Sequence, residues 1–395
     1  MRRGSEVSRI AIRNGLGPLL GLGGGRSDLT DDPAELGRRI RDSLEEAGGM
    51  FVKLGQLIAS REDLIPPEMA RELATLQESV TPEDPDTVRQ VLLEELNAPI
   101  EDVFDHFDWD PIGSASIGQV YQARLGTGEA VVVKVRRTGI VESVERDLDI
   151  VTRMAAAVER RTGWGAEFGV HAVADEFAAN LRQELDFTIE VRNMGEVAVA
   201  LGDTPEIHVP AAHTELCSEG VLVMEQLEGA PLGRIASVAA LGHDGRNLAD
   251  TLFRAELESM VQGQTFHADP HPGNIMILPD GRLGMIDFGS AARLDAFEQA
   301  AVSDILTALY LRDPTLLRDA AVGVAAVRTT TDPIQLERAF ARLMAQHMGP
   351  GAVPTEAMLK DFLAIVFRFG MTLPASVTAM FRALGTIAGT LERLS

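Results

Sequence analysis

The sequence has 395 residues, of which 45% are hydrophobic and 24% are charged, a composition typical of a soluble globular protein. A chain of this length usually folds around more than one hydrophobic core, so we expect two lobes or two domains. The formal net charge is −23, and such a field repels polyanions, which argues against a nucleic-acid partner. The single cysteine, Cys217, excludes an internal disulfide framework and suits a reducing cytosol.

The first 30 residues combine a basic start with an apolar, glycine-rich run. Residues 16–25 are the most apolar part of this segment, but they are too few and too rich in glycine to span a bilayer. A basic start is also a feature of signal peptides, yet no convincing cleavage site follows it. A solvated helix and a helix lying on a membrane surface both remain open. No run of about 18 apolar residues occurs in the sequence, so we expect no transmembrane helix.

Helical periodicity extends over residues 31–98. Asp32 followed by Pro33 predicts a helix start, because proline is tolerated in the first turn. Residues 81–84, Thr-Pro-Glu-Asp, have the composition of a second helix cap. We therefore expect a helical region before the first strands.

Strand composition appears after residue 104. Residues 117–125 and 129–135 predict two strands, and the Gly-Thr-Gly sequence between them predicts a hairpin turn. Long helices are then expected over residues 141–161 and 172–201.

A short apolar strand at residues 221–226 ends near Gly229, which we interpret as a hinge between lobes. Helices dominate from residue 249 onward, interrupted by a loop-strand-turn unit at residues 266–289.

That unit carries the strongest chemical signal in the sequence. It reads His267-Ala-Asp269-Pro-His-Pro-Gly-Asn274, followed by Asp287-Phe-Gly289 at the end of an apolar strand. Phosphoryl transfer requires a carboxylate that orients the attacking oxygen and metal ligands that neutralise charge on the phosphates. Kinases take these groups from an Asp, an Asn five residues later, and an Asp in a following Asp-Phe-Gly. The spacing predicts that Asp269 orients the nucleophile and that Asn274 and Asp287 bind Mg²⁺.

An alternative interpretation is a transition-metal site, because His267, Asp269 and His271 alternate along the chain. It leaves Asn274 and the Asp-Phe-Gly sequence unexplained. The loop begins with His-x-Asp rather than His-Arg-Asp, as in small-molecule phosphotransferases and other atypical kinases.

A loop that covers phosphates and a strand lysine are expected upstream. The sequence Gly-Ser-Ala-Ser-Ile-Gly-Gln-Val at residues 113–120 precedes Lys134 in the required order. Lys134 is predicted to hold the α- and β-phosphates, although a solvated strand lysine is the alternative. Residues predicted to contact the nucleotide are Ala115, Ser116, Gly118, Val120, Lys134 and, on the hinge strand, Met224 and Glu225. Ala115 stands where a protein kinase has its middle glycine, and its methyl group restricts the backbone there.

The lysine requires an acidic partner, which we expect on the helix over residues 172–201. A buried stripe with a spacing of four is formed by Val173, Phe177, Leu181, Leu185 and Ile189. Asp186 and Glu190 are i,i+4 neighbours, whereas Glu184 points elsewhere on an ideal helix. A local irregularity is needed to bring all three carboxylates together. Taken singly, each is also compatible with an ordinary solvated carboxylate.

Taken together, these motifs resemble the ABC1/UbiB/AarF (ADCK-like) atypical kinases. Lys53-Leu-Gly55-Gln56 is similar to the family's KxGQ motif, and Glu184-Leu-Asp186 is similar to its ExD motif. Residues 111–120 resemble its alanine-rich loop, with Gly-Ser in place of the first two alanines. The resemblance covers about residues 35–390, and the chain ends where many bacterial relatives continue into a hydrophobic pair of helices.

The resemblance implies a two-lobed, α+β, protein-kinase-like fold with an N-terminal helical extension. It implies that Lys53 reaches toward Glu184 and Asp186, and that the KxGQ helix shields the active site from polypeptides. The alternative is that Lys53 and Gln56 lie on an ordinary solvent-exposed helix face and have no role in the site. Glu190 stands where the family has its lysine-pairing glutamate, so Asp269, Lys134 and Glu190 are the predicted catalytic residues. We expect an extension over residues 1–104, an N-lobe with inserted helices over 105–229 and a C-lobe over 230–395.

The resemblance also implies a function. We expect a Mg-dependent atypical kinase or ATPase that binds ATP and ADP and supports ubiquinone or other prenyl-lipid metabolism. Prenyl-lipid intermediates or lipid-biosynthesis proteins are the implied partners. A cytoplasmic location is expected, with peripheral contact at the inner face of the membrane as a variant. A small-molecule kinase and a nucleotide-binding scaffold without turnover remain as alternatives.

Overall fold

The computed structural model describes residues 2–20, 32–60, 65–76, 81–161, 169–235, 237–327, 332–348 and 356–394. The glycine-rich run at residues 21–25 lies outside the described residues. The chain divides into two compact units, the first comprising Met1–Phe187 and Glu215–Val223 and the second Thr188–Thr214 and Met224–Ser395. The three-part division expected from the sequence stays a prediction.

The first unit begins with helices. They are α1 (Arg2–Arg13), α2 (Gly17–Leu20), α3 (Pro33–Ala47), α4 (Met50–Ser60), α5 (Pro67–Leu73), α6 (Pro85–Leu96), α7 (Ile100–Val103), α8 (Ile140–Arg161) and α9 (Val170–Glu184). Both predicted helix starts are confirmed: the Asp32 side chain accepts a hydrogen bond from the Ala34 amide, and Asp84 accepts one from the Asp86 amide. These caps satisfy amides that have no partner within the helix.

The N-terminal helix α1 packs against the rest of the first unit. Its residues Val7, Ile10 and Ala11 are buried, and the helix contacts α3 and α8. Arg3 donates from Nε to the buried carboxylate of Asp147 on α8 at 3.1 Å. Within the described part of the chain, no helix is both long and apolar enough to cross a membrane.

A five-stranded sheet lies mainly in the first unit. Its strands are β1 (Phe104–Phe107), β2 (Gly113–Ser114), β3 (Gly118–Leu125), β4 (Ala130–Arg136) and β6 (Val221–Glu225). The order is β1-β3-β4-β6, with β2 also paired to β3, and the predicted hairpin between β3 and β4 is confirmed. Alternate residues of β4 are buried because Val131, Val133 and Val135 face the core, which leaves Lys134 on the opposite face.

The single helix predicted over residues 172–201 is wrong in one respect. The chain forms α9 and then α10 (Phe187–Ala200), with a break at Leu185 and Asp186. Long-range contacts hold the break open: Arg136 donates to the Leu185 carbonyl at 2.6 Å, and the Phe187 amide donates to the Glu219 carbonyl at 3.1 Å.

The second unit is mainly helical. Beyond α10, its helices are α11 (Gly245–Val261), α12 (Ala296–Leu311), α13 (Pro314–Val324), α14 (Pro333–His347), α15 (Glu356–Arg368) and α16 (Ala375–Leu394). Their apolar faces form a common core in which the Phe362 ring stacks on the rings of Phe340 and Phe381, with centroids 5.5 Å and 5.0 Å apart.

Short strands shape the loops of the second unit. A sheet is formed in the order β5-β10-β9-β7 by β5 (Ile207–His208), β7 (Ala230–Pro231), β9 (Ile275–Ile277) and β10 (Leu283–Met285). A separate antiparallel pair joins β8 (Phe266–His267) to β11 (Ala291–Ala292), and a further one joins β12 (Ala326–Val327) to β13 (Met371–Thr372). The loop-strand-turn unit predicted at residues 266–289 is thus confirmed.

Candidate functional site

The KxGQ helix, α4, has a local structural reason for each motif residue. A Cβ atom at Gly55 would lie 2.2 Å from the Leu76 side chain and 2.8 Å from the Leu44 side chain, so a larger residue would require both leucines to move. The Gln56 amide donates to the Leu76 carbonyl at 3.1 Å. Lys53 forms an ion pair with Glu184 at the end of α9. The predicted contact of Lys53 with Glu184 is therefore present.

The alanine-rich loop forms a tight turn between β2 and β3. The Ala115 amide donates to the Gly118 carbonyl at 2.9 Å. A Cβ at Gly118 would lie 2.9 Å from the Val135 carbonyl oxygen and 3.2 Å from the Phe187 ring, so glycine is required here. Ser116 is 6% exposed, and its hydroxyl has no hydrogen-bond partner among the described residues. An unpaired buried hydroxyl is costly, which makes Ser116 a suitable contact for a polar ligand.

Lys134 lies beside this loop. It is the cross-strand partner of Val120 in the β3–β4 register, and its ammonium group lies 5.0 Å from the centroid of the Phe187 ring. That ring follows Asp186 directly and is buried. The hairpin register therefore brings Val120 and Lys134 together, and the break after α9 places an aromatic face under the lysine.

Glu190 is the buried carboxylate of α10, in the second unit. It is 5% exposed, and one of its oxygens lies 3.5 Å from the Phe288 amide of the Asp-Phe-Gly sequence. Asn193, one turn later, donates to the Phe288 carbonyl at 2.9 Å. Helix α10 thus contacts both the amide and the carbonyl of Phe288, the residue that follows Asp287. Lys134 belongs to the first unit, and its predicted pairing with Glu190 stays a prediction.

The loop from Asp269 to Asn274 is internally hydrogen-bonded. The Asn274 side-chain amide donates to the Asp269 carbonyl at 3.2 Å, and the His271 amide donates to the same carbonyl at 2.9 Å. The Asn274 carbonyl accepts from the Ile286 amide at 3.1 Å, next to Asp287. The Asp287 carboxylate itself accepts from the Gly289 amide at 3.0 Å. These bonds bring the three predicted phosphate- and metal-handling residues of this unit onto neighbouring segments.

His267 supports this loop from the core. It is 1% exposed, and its Nδ1 atom accepts a hydrogen bond from the Asp269 amide at 3.0 Å. Burial lowers the pKa of His267, although the carboxylate of Asp287 opposes this effect. The ring is therefore a neutral acceptor that shapes the backbone before Asp269. No cluster of three or more His, Cys, Asp or Glu side chains able to hold a metal occurs in the described ranges.

The predicted hinge residues lie at the end of β6. Met224 is buried, and its backbone forms a bridge to Ala212. The Glu225 carboxylate contacts the His208 ring at 2.9 Å and accepts from the Ala211 amide at 3.2 Å. The Glu225 side chain is thus occupied by contacts within its own unit, and the predicted contact of Met224 and Glu225 with a nucleotide stays a prediction.

Sequence reasoning missed two residues near these segments. Arg137, just after β4, donates hydrogen bonds to the alanine-rich loop. Glu256 is a fully buried carboxylic acid on α11 whose oxygens lack hydrogen-bond partners among the described residues. Only a charged residue on the apolar face of a helix signals Glu256 in the sequence, and nothing local signals Arg137.

Comparison with known proteins identifies the fold and the family. A family model described as the ABC1 atypical kinase-like domain matches residues 75–320. A solved structure titled as a complex of Rv3197 with erythromycin, from Mycobacterium tuberculosis, has a TM-score of 0.58 at 24% identity and covers 99% of this chain and 93% of that one. These findings confirm the predicted α+β, kinase-like fold with its helical extension.

Curated relatives agree with this match. The "Probable protein kinase UbiB" of Pseudomonas putida is 35% identical over 291 residues, which are 72% of this chain and 54% of that protein. The uncharacterized protein slr0889 of Synechocystis is 29% identical over 403 residues, covering 98% of this chain and 97% of the relative. The chain spans about half the length of several other curated relatives that it matches. Because the family model covers well over half of the sequence, this protein belongs to the ABC1 atypical kinase-like family.

Proposed function

We propose that this protein binds Mg-ATP and cleaves its γ-phosphate, as an atypical kinase or ATPase of the UbiB type. The observation that carries the proposal is the hydrogen-bonded loop in which His267 and Asn274 hold the backbone of Asp269, next to a buttressed Asp-Phe-Gly segment. Such an arrangement of one aspartate, one asparagine and a second aspartate suits phosphoryl transfer, in which positioning and charge neutralisation supply most of the catalysis.

The residues present fit a magnesium nucleotide. The carboxylate of Asp287 and the amide oxygen of Asn274 are oxygen ligands of the kind Mg²⁺ prefers. Lys134 and the buried, unpaired hydroxyl of Ser116 are suited to phosphate oxygens. When bound, ATP supplies the transferable phosphoryl group, and Mg²⁺ neutralises its charge. Asp269 then orients the attacking oxygen, and Glu190 keeps the Asp-Phe-Gly segment in place.

A role in ubiquinone or other prenyl-lipid metabolism is the biological context that we propose. The relative from Pseudomonas putida carries the name UbiB, and the family resemblance links such proteins to prenyl lipids. Peripheral contact with a membrane belongs to this proposal. The alternative is a small-molecule kinase, which the His-Ala-Asp loop favours because that form occurs in small-molecule phosphotransferases.

The fate of labelled ATP tests the reaction. Incubation of purified protein with Mg²⁺ and γ-labelled ATP should release labelled inorganic phosphate, and casein added to the reaction should stay unlabelled. Casein should stay unlabelled for two reasons. The KxGQ helix α4, whose Lys53 contacts Glu184, is expected to shield the site from polypeptides. The Ala115 methyl group also restricts the backbone of the loop, in contrast to the glycine of ordinary protein kinases. Asp269→Asn serves as the inactive control.

Each outcome of that assay has a clear reading. Label transferred to a small metabolite would show that the protein is a small-molecule kinase and not an ATPase. No labelled phosphate and no labelled acceptor would indicate a nucleotide-binding scaffold without turnover. Casein labelling that disappears in Asp269→Asn would show an ordinary protein kinase and would refute the proposal.

The ion pair of Lys53 with Glu184 provides a second prediction. Both side chains are partly exposed, at 21% and 44%, so Lys53→Ala should change the free energy of unfolding by only about 0–1 kcal/mol. If the pair regulates the site, nucleotide affinity or turnover should nevertheless change severalfold. The measurement is a double-mutant cycle with Glu184→Ala, read out as nucleotide Kd and kcat, in which the two effects should be non-additive.

Arg71→Ala is a matched control for this cycle, because Arg71 on α5 is exposed and contacts Glu68 within its own helix. Strict additivity of Lys53→Ala and Glu184→Ala, with wild-type nucleotide handling in both, would reduce α4 to a packing role.

A further inference from the structure

Arg137 makes four hydrogen bonds within the first unit, of which three go to the alanine-rich loop and one goes to Thr81. Its Nε atom donates to the Ala115 carbonyl at 2.7 Å, and Nη2 donates to the Ser114 hydroxyl at 2.7 Å. Its backbone amide donates to the Ile117 carbonyl at 2.8 Å. Nη2 also reaches the Thr81 carbonyl at 3.1 Å, which belongs to the segment before α6. One side chain therefore joins the loop to a segment more than 30 residues away.

A second contact joins the same two segments. Gln119, at the start of β3, is fully buried and forms a reciprocal pair with Glu83: its Oε1 atom accepts from the Glu83 amide at 2.9 Å, and its Nε2 atom donates to the Glu83 carboxylate at 3.1 Å. The other Glu83 oxygen accepts from the Thr138 amide at 3.2 Å. The segment from Thr81 to Glu83, which we name the strap, is thus fastened at both of its ends.

These contacts add to the bonds that the loop makes with itself. Its turn is closed by the bond from the Ala115 amide to the Gly118 carbonyl, next to the short β2–β3 ladder in which Gly113 pairs with Val120. Charged donors form stronger hydrogen bonds than neutral ones, so the guanidinium contributes more than the turn bond does. These contacts also explain why the residue is an arginine. The planar guanidinium has several donors and can bond to the Ala115 carbonyl, the Ser114 hydroxyl and the Thr81 carbonyl at once, which a lysine ammonium group cannot do in the same geometry.

We propose that Arg137 is a positioning residue that fixes the alanine-rich loop against the strap, and so sets the affinity for nucleotide without taking part in phosphoryl transfer. This inference rests on the proposed function for its effect on nucleotide, but not for its effect on the loop. A loop that is already fixed loses less conformational freedom when a ligand binds. The strap is part of the N-terminal helical region. The bonds of Arg137 and Gln119 to the strap therefore connect the alanine-rich loop to that region.

Hydrogen exchange of the apo protein tests the structural part. In Arg137→Gln, amide exchange over residues 113–119 should be about tenfold faster than in the wild type, because the local opening free energy falls when charged hydrogen bonds are lost. Arg137→Lys should give an intermediate rate. Arg124→Gln is the matched control: Arg124 lies at the other end of β3, is exposed, and donates to the Gly128 carbonyl in the hairpin turn. It should leave exchange over residues 113–119 unchanged.

Steady-state kinetics test the functional part. Arg137→Gln should raise KM for ATP severalfold with kcat unchanged, whereas Arg124→Gln should alter neither constant. Should Arg137→Gln not fold, Glu83→Ala replaces it, because the strap then loses the bonds that the Gln119 Nε2 atom and the Thr138 amide donate to the Glu83 carboxylate, while Arg137 stays in place.

The outcomes separate this inference from the proposed function. Unchanged exchange over residues 113–119 in both Arg137→Gln and Glu83→Ala overturns the role of Arg137. Faster exchange in a protein that binds no nucleotide supports the role of Arg137 in fixing the loop and refutes the proposed function instead. Faster exchange with a fall in kcat and an unchanged KM would overturn the assignment of Arg137 as a residue that acts on affinity.

Discussion

Asp287→Asn should abolish the rise in melting temperature that Mg-ATP or Mg-ADP gives the wild-type protein, and the melting temperature of the apo protein should not change. A ligand that binds only the native state stabilises it by mass action, by about 2.7 kcal/mol at a hundredfold excess over Kd. The substitution removes the anionic oxygen that Mg²⁺ prefers. It keeps an oxygen that accepts from the Gly289 amide, so the turn itself should survive.

Asp280→Asn is the control for this experiment. Asp280 lies in the exposed turn between β9 and β10, and its carboxylate accepts from the Arg282 amide at 3.1 Å, two residues further on, just as Asp287 accepts from Gly289. Both substitutions remove a carboxylate and keep the oxygen that accepts from the amide, and Asp280→Asn also removes an ion pair with the Arg282 side chain. Differential scanning fluorimetry should show a full nucleotide shift in Asp280→Asn. A full shift in Asp287→Asn as well would refute the metal assignment.

Much of the fold could be predicted because its signals are local. Asp32 and Asp84 each cap a helix by contacting an amide two residues away, so composition alone marks both helix starts. The hairpin of β3 and β4 likewise follows from two apolar runs and a glycine turn.

The three motif carboxylates required an irregularity in this helix, but the position of the break between α9 and α10 could not be predicted, because its causes are distant in sequence. The spacing of four from Phe177 through Leu185 continues as in an unbroken helix, and those side chains are indeed buried. The Arg136 guanidinium and the Glu219 carbonyl take the backbone groups that a continuous helix would have used. Helical periodicity reports which face is buried, and it does not report such competing partners.

The same distinction applies to the site. The spacing of Asp269, Asn274 and Asp287 forms a recognisable pattern, so it predicts their chemistry. Arg137 contacts the loop through bonds that no such pattern marks, because an arginine after a strand is not distinctive.

Glu256 is the clearest case of a residue whose behaviour only the structure reveals. It lies on α11 with no exposed surface, and neither carboxyl oxygen has a hydrogen-bond partner in the part of the chain that is described. Burial raises the pKa of Glu256 from 4.5 to about 8, although the backbone of His267 opposes the shift. The native protein therefore holds this carboxyl in its neutral form at pH 7, since an isolated buried charge is costly.

Glu256→Gln should stabilise the protein at neutral pH and reduce the dependence of its stability on pH. In the unfolded chain Glu256 loses its proton near pH 4.5, whereas in the native state it keeps the proton up to about pH 8. The stability that depends on this proton is fully present below pH 4.5 and is lost as the pH rises toward 8, reaching about 3 kcal/mol of loss at pH 7. Glutamine cannot ionise, so the variant should avoid that loss.

Urea unfolding at pH 5, 6, 7 and 8 measures the effect as the difference in free energy of unfolding between variant and wild type. That difference should grow steadily with pH in Glu256→Gln. It should stay near zero in Glu258→Gln, a control two residues away on the exposed side of α11. If the difference for Glu256→Gln does not change with pH, Glu256 is ionised in the native state and must have a partner there. Since Glu256 lies next to the backbone of His267, that backbone would then be the partner that stabilises the charge.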